Sequence, residues 1–308
     1  MKKFLFKISL YGIGILGVLL FLGSYADGNT DDNYRHFTGP PPDNMILGDS
    51  RGVQAVVPDV LDRKFKDRQF INFAFNIGDS PYGKVYLEAI KKKIAPDTKN
   101  GIFILTVDPW CLSVDEEWDS ENGDPDKNSP LADMHFFNMT PNYEYLIKHY
   151  PRSWFNIVKE RESVVRSNTF LHKNGWMEVT VDINQDSIRK REIKKVEGYR
   201  AMIDKQKISP FRLNALQEII EYLNQRGKVY IVRIPAFKGM MAIENQYSPE
   251  FSILIRDIAR QHNAVFFDFS SKQEDYIYTD GNHMYKESGK IFTAQIADSI
   301  LSKKGKSK

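Results

Sequence analysis

A serine, an aspartate and a histidine in this 308-residue chain occupy positions from which they could act together on an acyl group. Ser50 ends the tripeptide Gly48-Asp49-Ser50 directly after a short apolar run, and Asp280 and His283 lie three residues apart near the carboxyl end. A histidine can take the proton of a serine hydroxyl when a carboxylate orients its ring, and the serine then becomes a nucleophile. Residues three apart in a helical turn share a face, so Asp280 is placed to hold His283. These residues predict acyl transfer through Ser50.

A second Gly-Asp-Ser tripeptide, Gly78-Asp79-Ser80, follows the next apolar run. Ser80 precedes Pro81, which is typical of a helix N-cap followed by the first helical residue. Gly78 is a candidate for a different task, because glycine lets a ligand approach the backbone closely. Its N–H is therefore a candidate donor to an oxyanion.

Short apolar runs and amphipathic stretches alternate along the chain and must position these residues. The predicted strands are Met45–Leu47, Phe70–Phe75, Ile102–Val107, Val229–Ile234 and Ala264–Phe267. The predicted helices are Gly83–Ile94, Phe211–Arg226, Glu250–Gln261 and Ser288–Leu301. Nearly uninterrupted apolar strands are typical of a parallel sheet covered on both faces. The pattern predicts a three-layer α/β domain with a five-stranded parallel sheet, and ligands of such sheets bind at the carboxyl edge.

Residues 112–210 do not follow this alternation and are predicted to be a large, mostly helical insertion between the third and fourth strands, with helices near 143–161 and 187–205. Insertions of this kind commonly shape a substrate site. The acidic run over 115–126 lacks the spacing of a calcium loop, which favours a solvated loop. Trp118, Trp154 and Trp176 are expected to pack in the interior, with stacking on sugar rings as the alternative.

The amino terminus contains an uncharged stretch, residues 8–25, that is just long enough as a helix to span a bilayer. Lysines precede it, so the positive-inside rule places residues 1–7 in the cytoplasm and the domain outside. Ser24-Tyr25-Ala26 resembles a cleavage site, and a cleaved signal peptide stays open as the alternative. Residues 26–44 are polar and proline-rich and are predicted to link the membrane to a domain over 45–302.

The charge distribution argues against a nucleic-acid partner. The net charge is +3, but seven lysines belong to the amino-terminal tip and to a basic tail over 303–308. The rest of the chain has 36 basic against 40 acidic residues and presents no general basic face. The single cysteine, Cys111, excludes an intramolecular disulfide and a cysteine-clustered metal site, which suits a bacterial periplasm or cell surface.

The order of the motifs resembles that of the SGNH hydrolases, also called GDSL-like hydrolases. The first Gly-Asp-Ser matches the family's first block, Asp280-x-x-His283 its last, and Gly78 the glycine of its second block. The resemblance covers roughly 45–111 and 211–301. It implies a flavodoxin-like fold, Ser50 as nucleophile, His283 as general base and Asp280 as its partner. The backbone N–H groups of Ser50 and Gly78 are the implied oxyanion donors, and no metal or other cofactor is implied.

The chain departs from the family at the third block, Gly-x-Asn-Asp, whose asparagine donates to the oxyanion. Asp108-Pro109-Trp110 follows the third strand instead, and an ionised aspartate cannot donate a hydrogen bond. The loss of one such donor typically costs ~3–4 kcal/mol of transition-state stabilisation. Trp110 is a candidate replacement donor. Arg51, Gln54 and Asp108 are candidate substrate contacts, with a scaffolding role equally open for the residues after Ser50.

The missing block and the amino-terminal anchor together resemble the membrane-tethered branch of the family, which includes the D-alanine transfer protein of teichoic acids and the alginate O-acetylation proteins. That resemblance implies an extracytoplasmic serine esterase or O-acyltransferase for acyl esters of an envelope polysaccharide, with a membrane-bound O-acyltransferase as partner. The alternatives are a non-catalytic protein that binds glycan or that partner, and a carbohydrate-binding scaffold built on the insertion. An α/β-hydrolase elbow at Gly48-x-Ser50-x-Gly52 is disfavoured, because the motif follows the first strand.

Overall fold

A five-stranded parallel sheet forms the centre of the computed structural model, which describes residues 1–305 without the side chains of residues 304 and 305. The strands of the chain are β1 (Asn44–Leu47), β2 (Phe70–Asn72), β3 (Gly101–Val107), β4 (Ser113–Asp115), β5 (Thr169–Leu171), β6 (Met177–Val179), β7 (Gln206–Ile208), β8 (Gly227–Arg233) and β9 (Val265–Asp268). The central sheet has the order β2-β1-β3-β8-β9 with every pair parallel. The predicted five-stranded flavodoxin-like sheet is confirmed.

Helices cover both faces of this sheet. The helices of the chain are α1 (Lys2–Gly23), α2 (Ser50–Ala55), α3 (Pro58–Lys64), α4 (Lys84–Lys93), α5 (Pro130–Asp133), α6 (Tyr143–Lys148), α7 (Trp154–Glu160), α8 (Gln185–Arg200), α9 (Pro210–Asn224), α10 (Lys238–Tyr247), α11 (Phe251–Gln261) and α12 (Lys286–Gly305). The four predicted helices of the frame appear as α4, α9, α11 and α12 within a few residues of their expected bounds. The short helices α2, α3 and α10 were not predicted.

Alternation along the strands separates two apolar cores. Phe103 and Leu105 of β3 pack with α4, α9 and α11, whereas Ile102 and Ile104 pack with α2, α3 and α12. Successive side chains of a strand point to opposite faces of the sheet, so one apolar strand supplies both layers. The fold is therefore the three-layer arrangement expected from the apolar strands.

The two ends of the insertion lie side by side, because β4 near its start pairs antiparallel with β7 near its end. Helices α5–α8 make up most of its regular structure, as predicted, and the β4–β7 and β5–β6 pairs were not predicted. The helix expected over 143–161 is divided into α6 and α7 around Pro151, which cannot continue a helix. The longest helix of the insertion, α8, ends at Arg200 rather than at residue 205.

The amino-terminal helix α1 has a mean hydropathy of 2.2 over an 18-residue window, long and apolar enough to cross a membrane. A signal sequence near the amino terminus has the same length and composition, so both expectations stand. The segment 26–44 differs from the predicted linker, because Tyr34 and Phe37 are buried in the core. The linker was predicted from the polar composition and the prolines of this segment, and neither feature indicates that its aromatic side chains pack onto the domain. Of the predicted basic tail, residues 306–308 lie outside the described residues.

Candidate active site

The turn after β1 places Ser50 at the carboxyl edge of the sheet. Gly48 has a φ of +141°, and a Cβ atom there would collide with the side chain of Thr106 on the neighbouring strand. Glycine is therefore required at this turn. Asp49 caps α2 by accepting a hydrogen bond from the N–H of Arg51 at 3.0 Å, so Ser50 becomes the first residue of the helix.

The histidine lies in a tight turn within the long connection between β9 and α12. The Oδ1 atom of Asp280 accepts hydrogen bonds from the N–H groups of Asn282 at 3.0 Å and of His283 at 2.9 Å. Gly281, with a φ of +83°, supplies the left-handed residue of this turn. The N–H of Thr279 donates to the carbonyl of His283 at 2.8 Å and closes the loop.

The structure brings the three predicted catalytic side chains together. His283 Nε2 lies 2.9 Å from Ser50 Oγ, and His283 Nδ1 lies 2.9 Å from Asp280 Oδ2. Ser50 and His283 each retain 9% of their accessible surface, so the pair is largely buried but keeps some contact with solvent. Burial alone would raise the pKa of Asp280, but hydrogen bonds from His283 and the charge of Lys195 hold it well below its usual range.

The backbone N–H groups of Ser50 and Gly78 make no hydrogen bond to the described part of the chain, as donors reserved for an oxyanion require. A Cβ atom at Gly78 would meet no atom within 4 Å, so the loop is open there. Gly78 and Trp110 both line a cavity of about 290 Å³. Ser50, Asp280 and His283 do not line this cavity.

Trp110, the candidate replacement donor, makes packing contacts. Its ring stacks on Tyr247 with centroids 4.5 Å apart and meets Tyr199 edge-on at 5.1 Å. Its indole Nε1 is buried and has no hydrogen-bond partner among the described residues. The position of the ring explains how Tyr199 is held, and an oxyanion role for the indole stays a prediction.

Arg51 and Asp108, two candidate substrate contacts, are buried beneath Ser50 and do not face an opening. Arg51 forms an ion pair with Glu244 at 2.5 Å, and its Nε lies 3.6 Å from Asp108 Oδ2. Asp108 also accepts hydrogen bonds from the N–H groups of Trp110 at 2.8 Å and Cys111. Both side chains are buried among protein groups, and a substrate contact of either residue stays a prediction.

The same buried cluster affects the residue beside the nucleophile. Burial and the adjacent Asp108 raise the pKa of Asp49 well above its usual range. Arg233, at the end of β8, pairs with Glu244 at 3.3 Å, so two arginines and two carboxylates lie beneath the site together with Asp49. A buried charge that loses its partner is costly, so this cluster fixes the turn that carries Ser50.

Other residues singled out in the sequence have structural contacts. Ser80 does not cap α4, whose N-cap is Gly83. The hydroxyl of Ser80 instead donates to the carbonyl of Gly48 at 2.8 Å.

Gln54 is half-buried, and its backbone carbonyl accepts a hydrogen bond from Trp176 Nε1 at 2.9 Å. A substrate role for the side chain of Gln54 stays a prediction. In the acidic run, Asp126 is buried against Arg212, whereas residues 115–117 are exposed.

The site also contains residues that sequence reasoning missed, and several of them come from α8 of the insertion. Lys195 Nζ lies 3.5 Å from Asp280 Oδ2, and Arg191 Nε donates to the carbonyl of Thr279 at 2.6 Å. Tyr199 accepts a hydrogen bond from Asn282 Nδ2 at 3.3 Å. Asn282 lies within the Asp280–His283 motif, which was the available signal for it, whereas nothing in the pattern of α8 indicated that the helix would reach this loop.

Among residues 1–305, no group of three or more histidine, cysteine, aspartate or glutamate side chains is arranged to hold a metal ion. The fold and the site together define a three-layer α/β protein with a serine–histidine–aspartate triad at the carboxyl edge of its sheet.

Comparisons with known proteins give structural similarity without detectable sequence similarity. No family model and no curated protein sequence matches the chain. A lipase/acylhydrolase from Enterococcus faecalis is similar with a TM-score of 0.42 and 12% identity, over 84% of this chain and 96% of that one. The carbohydrate acetylesterase Est24 from Sinorhizobium meliloti has a TM-score of 0.38 and 12% identity, over 84% and 98%. A lipolytic G-D-S-L family protein from Veillonella parvula has a TM-score of 0.40 and 14% identity, over 84% and 97%.

Proposed function

We propose that the protein is an SGNH-type serine esterase or O-acyltransferase. The observation that carries the proposal is the 2.9 Å hydrogen bond between Ser50 Oγ and His283 Nε2, with Asp280 bound to the other ring nitrogen. This is the geometry in which a histidine activates a serine and a carboxylate orients the histidine. The N–H groups of Ser50 and Gly78, which have no partner in the described part of the chain, are the proposed oxyanion donors.

The reaction follows from these positions. Ser50 Oγ attacks the carbonyl carbon of an ester while His283 Nε2 takes the hydroxyl proton, and the carbonyl oxygen becomes the oxyanion. The intermediate collapses as the C–O bond to the leaving alcohol breaks, and His283 returns the proton to that alcohol. Water or a sugar hydroxyl then gives its proton to His283 and attacks the acyl-serine. The second intermediate collapses as the bond between the acyl carbon and Ser50 Oγ breaks, and His283 Nε2 returns the proton to Ser50 Oγ. The acid or the new ester then leaves.

A fluorophosphonate probe tests the nucleophile directly. We expect the wild-type chain to be labelled at Ser50, and the Ser50→Ala and His283→Ala variants to lose labelling while keeping their circular dichroism spectra. Mass mapping provides an internal control, because the buried Ser80 belongs to an identical tripeptide and should carry no label. A folded wild-type chain that resists the probe would instead support the non-catalytic alternative, in which the same cleft binds glycan or a partner protein.

We also propose that α1 anchors the domain at the extracytoplasmic face of a bacterial membrane. The hydroxyl of Tyr143 on α6 donates to the carbonyl of Leu20 at 2.7 Å, so the domain packs against the last turns of the apolar helix. Ile147 of α6 and Phe155 of α7 are 74% and 66% exposed beside this contact. If α1 spans a bilayer, these apolar side chains lie at its surface, where their exposure has a physical reason.

Quenching by brominated lipid tests this placement. Trp154 lies on α7 and stacks on Tyr143, whereas Trp118 lies in the acidic run of the insertion. In the full chain reconstituted in nanodiscs of brominated phosphatidylcholine, we expect Trp154→Phe to remove most of the quenchable tryptophan fluorescence and Trp118→Phe to leave it. Equal quenching in the two variants would contradict the proposed orientation.

We propose the substrate from the proposed anchor and from the motif resemblance. A domain held at the outer face of a membrane meets the acyl esters of envelope polysaccharides, and a membrane-bound O-acyltransferase is the proposed partner. Whether water or a sugar hydroxyl accepts the acyl group depends on the exclusion of water from the site. A purified domain that releases acetate from acetylated envelope polysaccharide without transferring it to added glycan would identify an esterase.

A further inference from the structure

The segment after β3 lacks the asparagine of the family's third block, and two other side-chain donors lie next to the catalytic pair. We propose that the side-chain amide of Asn282 and the hydroxyl of Tyr199 donate hydrogen bonds to the oxyanion, alongside the N–H groups of Ser50 and Gly78. The inference rests on the proposed acyl-transfer function and assigns two further catalytic residues to it.

The orientation of the Asn282 amide is fixed by its neighbour. Arg51 Nε lies 2.9 Å from one amide atom of Asn282, and an arginine nitrogen can only donate. The atom that faces Arg51 is therefore the oxygen Oδ1, and the NH₂ group faces the other way. Arg51 is itself held by Glu244 and Asp108, so a turned amide would place its NH₂ group against the Nε–H of a fixed arginine.

The NH₂ group so oriented points toward the reacting atoms. Asn282 Nδ2 lies 3.5 Å from His283 Nε2, the same nitrogen that accepts the proton of Ser50. One amide hydrogen is directed at the hydroxyl of Tyr199 and the other lies on the side of the catalytic nitrogen. In the proposal, this second hydrogen donates to the oxygen attached to the carbon that Ser50 attacks. Side-chain amides are established donors in oxyanion holes, because they stabilise developing negative charge without having to reorganise.

Tyr199 extends the donor set from the insertion. Its oxygen accepts the hydrogen bond from Asn282 Nδ2, so its own proton is free to point elsewhere, and no acceptor for that proton occurs in the described chain. Burial raises the pKa of Tyr199 above its usual range, and the phenol therefore remains a neutral donor at physiological pH. Trp110 meets its ring edge-on, and Met240 and Met241 pack around it.

This arrangement explains the role of the unusual third block. Asp108 binds Arg51, and Arg51 orients Asn282, while Trp110 supports Tyr199. Asp108 and Trp110 are thus positioning residues for donors that come from the last motif and from the insertion. The insertion then contributes to the chemistry as well as to the shape of the cleft.

The test compares two tyrosines that pack on the same tryptophan. Tyr199→Phe removes the proposed donor, whereas Tyr247→Phe removes a hydroxyl that is bonded to Ser113 Oγ at 2.8 Å. Both substitutions delete one oxygen and keep the ring, so both variants should fold. Asn282→Asp is the second test, because a carboxylate keeps the acceptor for Arg51 Nε and loses the amide donor.

The readouts are the second-order rate of fluorophosphonate labelling and the kcat and KM for p-nitrophenyl acetate. We expect Tyr199→Phe and Asn282→Asp to lower the labelling rate and kcat by about 10²-fold, the typical effect of one lost oxyanion donor, with KM changed by less than about threefold. We expect Tyr247→Phe to stay within about twofold of wild type. Melting temperatures of all four proteins separate these losses from unfolding.

The two hypotheses fail in different ways. If the wild-type chain is labelled at Ser50 and Tyr199→Phe and Asn282→Asp react at the wild-type rate, the assignment of these donors is overturned and the proposed function stands. If Tyr199→Phe and Tyr247→Phe lose activity equally, the hydroxyl of Tyr199 has no special role and its assignment is overturned. If the folded wild-type chain does not react, the proposed function is overturned and this inference with it.

Discussion

Ser50 Oγ and His283 Nε2 lie 2.9 Å apart although 233 residues separate them in the chain. Ser50 follows β1 and His283 follows β9, and the strands β3 and β8 lie between these two in the sheet. The turn after β1 and the loop before α12 must therefore approach each other over the ends of β3 and β8. Asp108 and Arg233 stand at those ends, and the buried cluster they form with Arg51 and Glu244 supports both sides of the site.

Replacement of Asp280 by asparagine should lower activity by about 10²–10⁴-fold, because the ring of His283 loses the carboxylate that sets its tautomer and orientation. It should also change how stability depends on pH. The pKa of Asp280 is lowered in the folded chain, so its contribution is complete above the usual carboxyl pKa of about 4 and is lost as the pH falls through the folded value. Urea unfolding between pH 2.5 and 7 measures this contribution.

The comparison with wild type isolates the Asp280 contribution from the other titrating groups. We expect the difference in unfolding free energy between wild type and Asp280→Asn to be constant above about pH 5 and to shrink below about pH 4. A difference that is the same across the whole range would show that the carboxylate of Asp280 is not held in its charged form by His283 and Lys195.

Substitution of Arg51 should lower the stability of the protein far more than substitution of Gln54. Arg51→Met leaves Glu244 buried without this partner, and breaking such a pair typically costs about 3–5 kcal/mol of stability. Gln54→Ala should cost less than about 1 kcal/mol, because the residue is half-buried on a short helix. If Gln54 contacts substrate, its variant raises KM for an ester substrate without loss of stability. A stable Arg51→Met protein with a raised KM would support the substrate-contact hypothesis for Arg51.

The frame of the fold follows from the sequence because its signals are local. Uninterrupted apolar strands and amphipathic helices such as α9 and α11 are encoded by residues close together in the chain. The short helix α2 and the short strand pairs of the insertion escape such analysis, since each has too few residues to show a period. They form because of contacts with distant parts of the chain, such as the pairing of β4 with β7.

The triad followed from the motif resemblance, but the surroundings of the triad did not. Arg51 looked like a substrate contact because it follows Ser50, and its ion pair with Glu244, far along the chain, was invisible in the sequence. Ser80 precedes a proline as an N-cap residue often does, yet its hydroxyl donates to the carbonyl of Gly48 in the turn after β1. In both cases the side chain makes a polar contact with a residue far along the chain, and the neighbouring residues in the sequence give no sign of that contact.

Phe37 tests whether the segment after α1 is part of the domain. Its ring is buried and stacks on Tyr145 of α6 with centroids 4.8 Å apart. Removal of a buried phenylalanine typically costs about 3–5 kcal/mol, so we expect Phe37→Ala to lower the free energy of unfolding by that amount. The control is Arg35→Ala, which removes a half-buried side chain two residues away. It should change the free energy of unfolding by less than about 1 kcal/mol. Equal small effects would mean that the segment behaves as a linker.

Lys93 should give the protein a pH dependence in the neutral to alkaline range. Its ammonium group is buried and donates to the carbonyls of Thr38 at 2.8 Å and Phe137 at 2.9 Å, and burial lowers its pKa to about 7. An unfolded lysine keeps its proton up to about pH 10.4, so the unfolded chain binds more protons between these two values. Stability contributed by this residue therefore rises with pH across that window and is constant below it.

The matched variant for Lys93 is methionine, which has a similar length and no titrating group. We expect the unfolding free energy of wild type to increase relative to Lys93→Met as the pH rises from 7 to 10. Lys91→Met on the exposed side of the same helix removes a charge that pairs with Glu88 at the surface, and it should leave the pH profile of wild type unchanged. Parallel profiles for wild type and Lys93→Met would show that Lys93 keeps its proton in the folded chain as it does in the unfolded one.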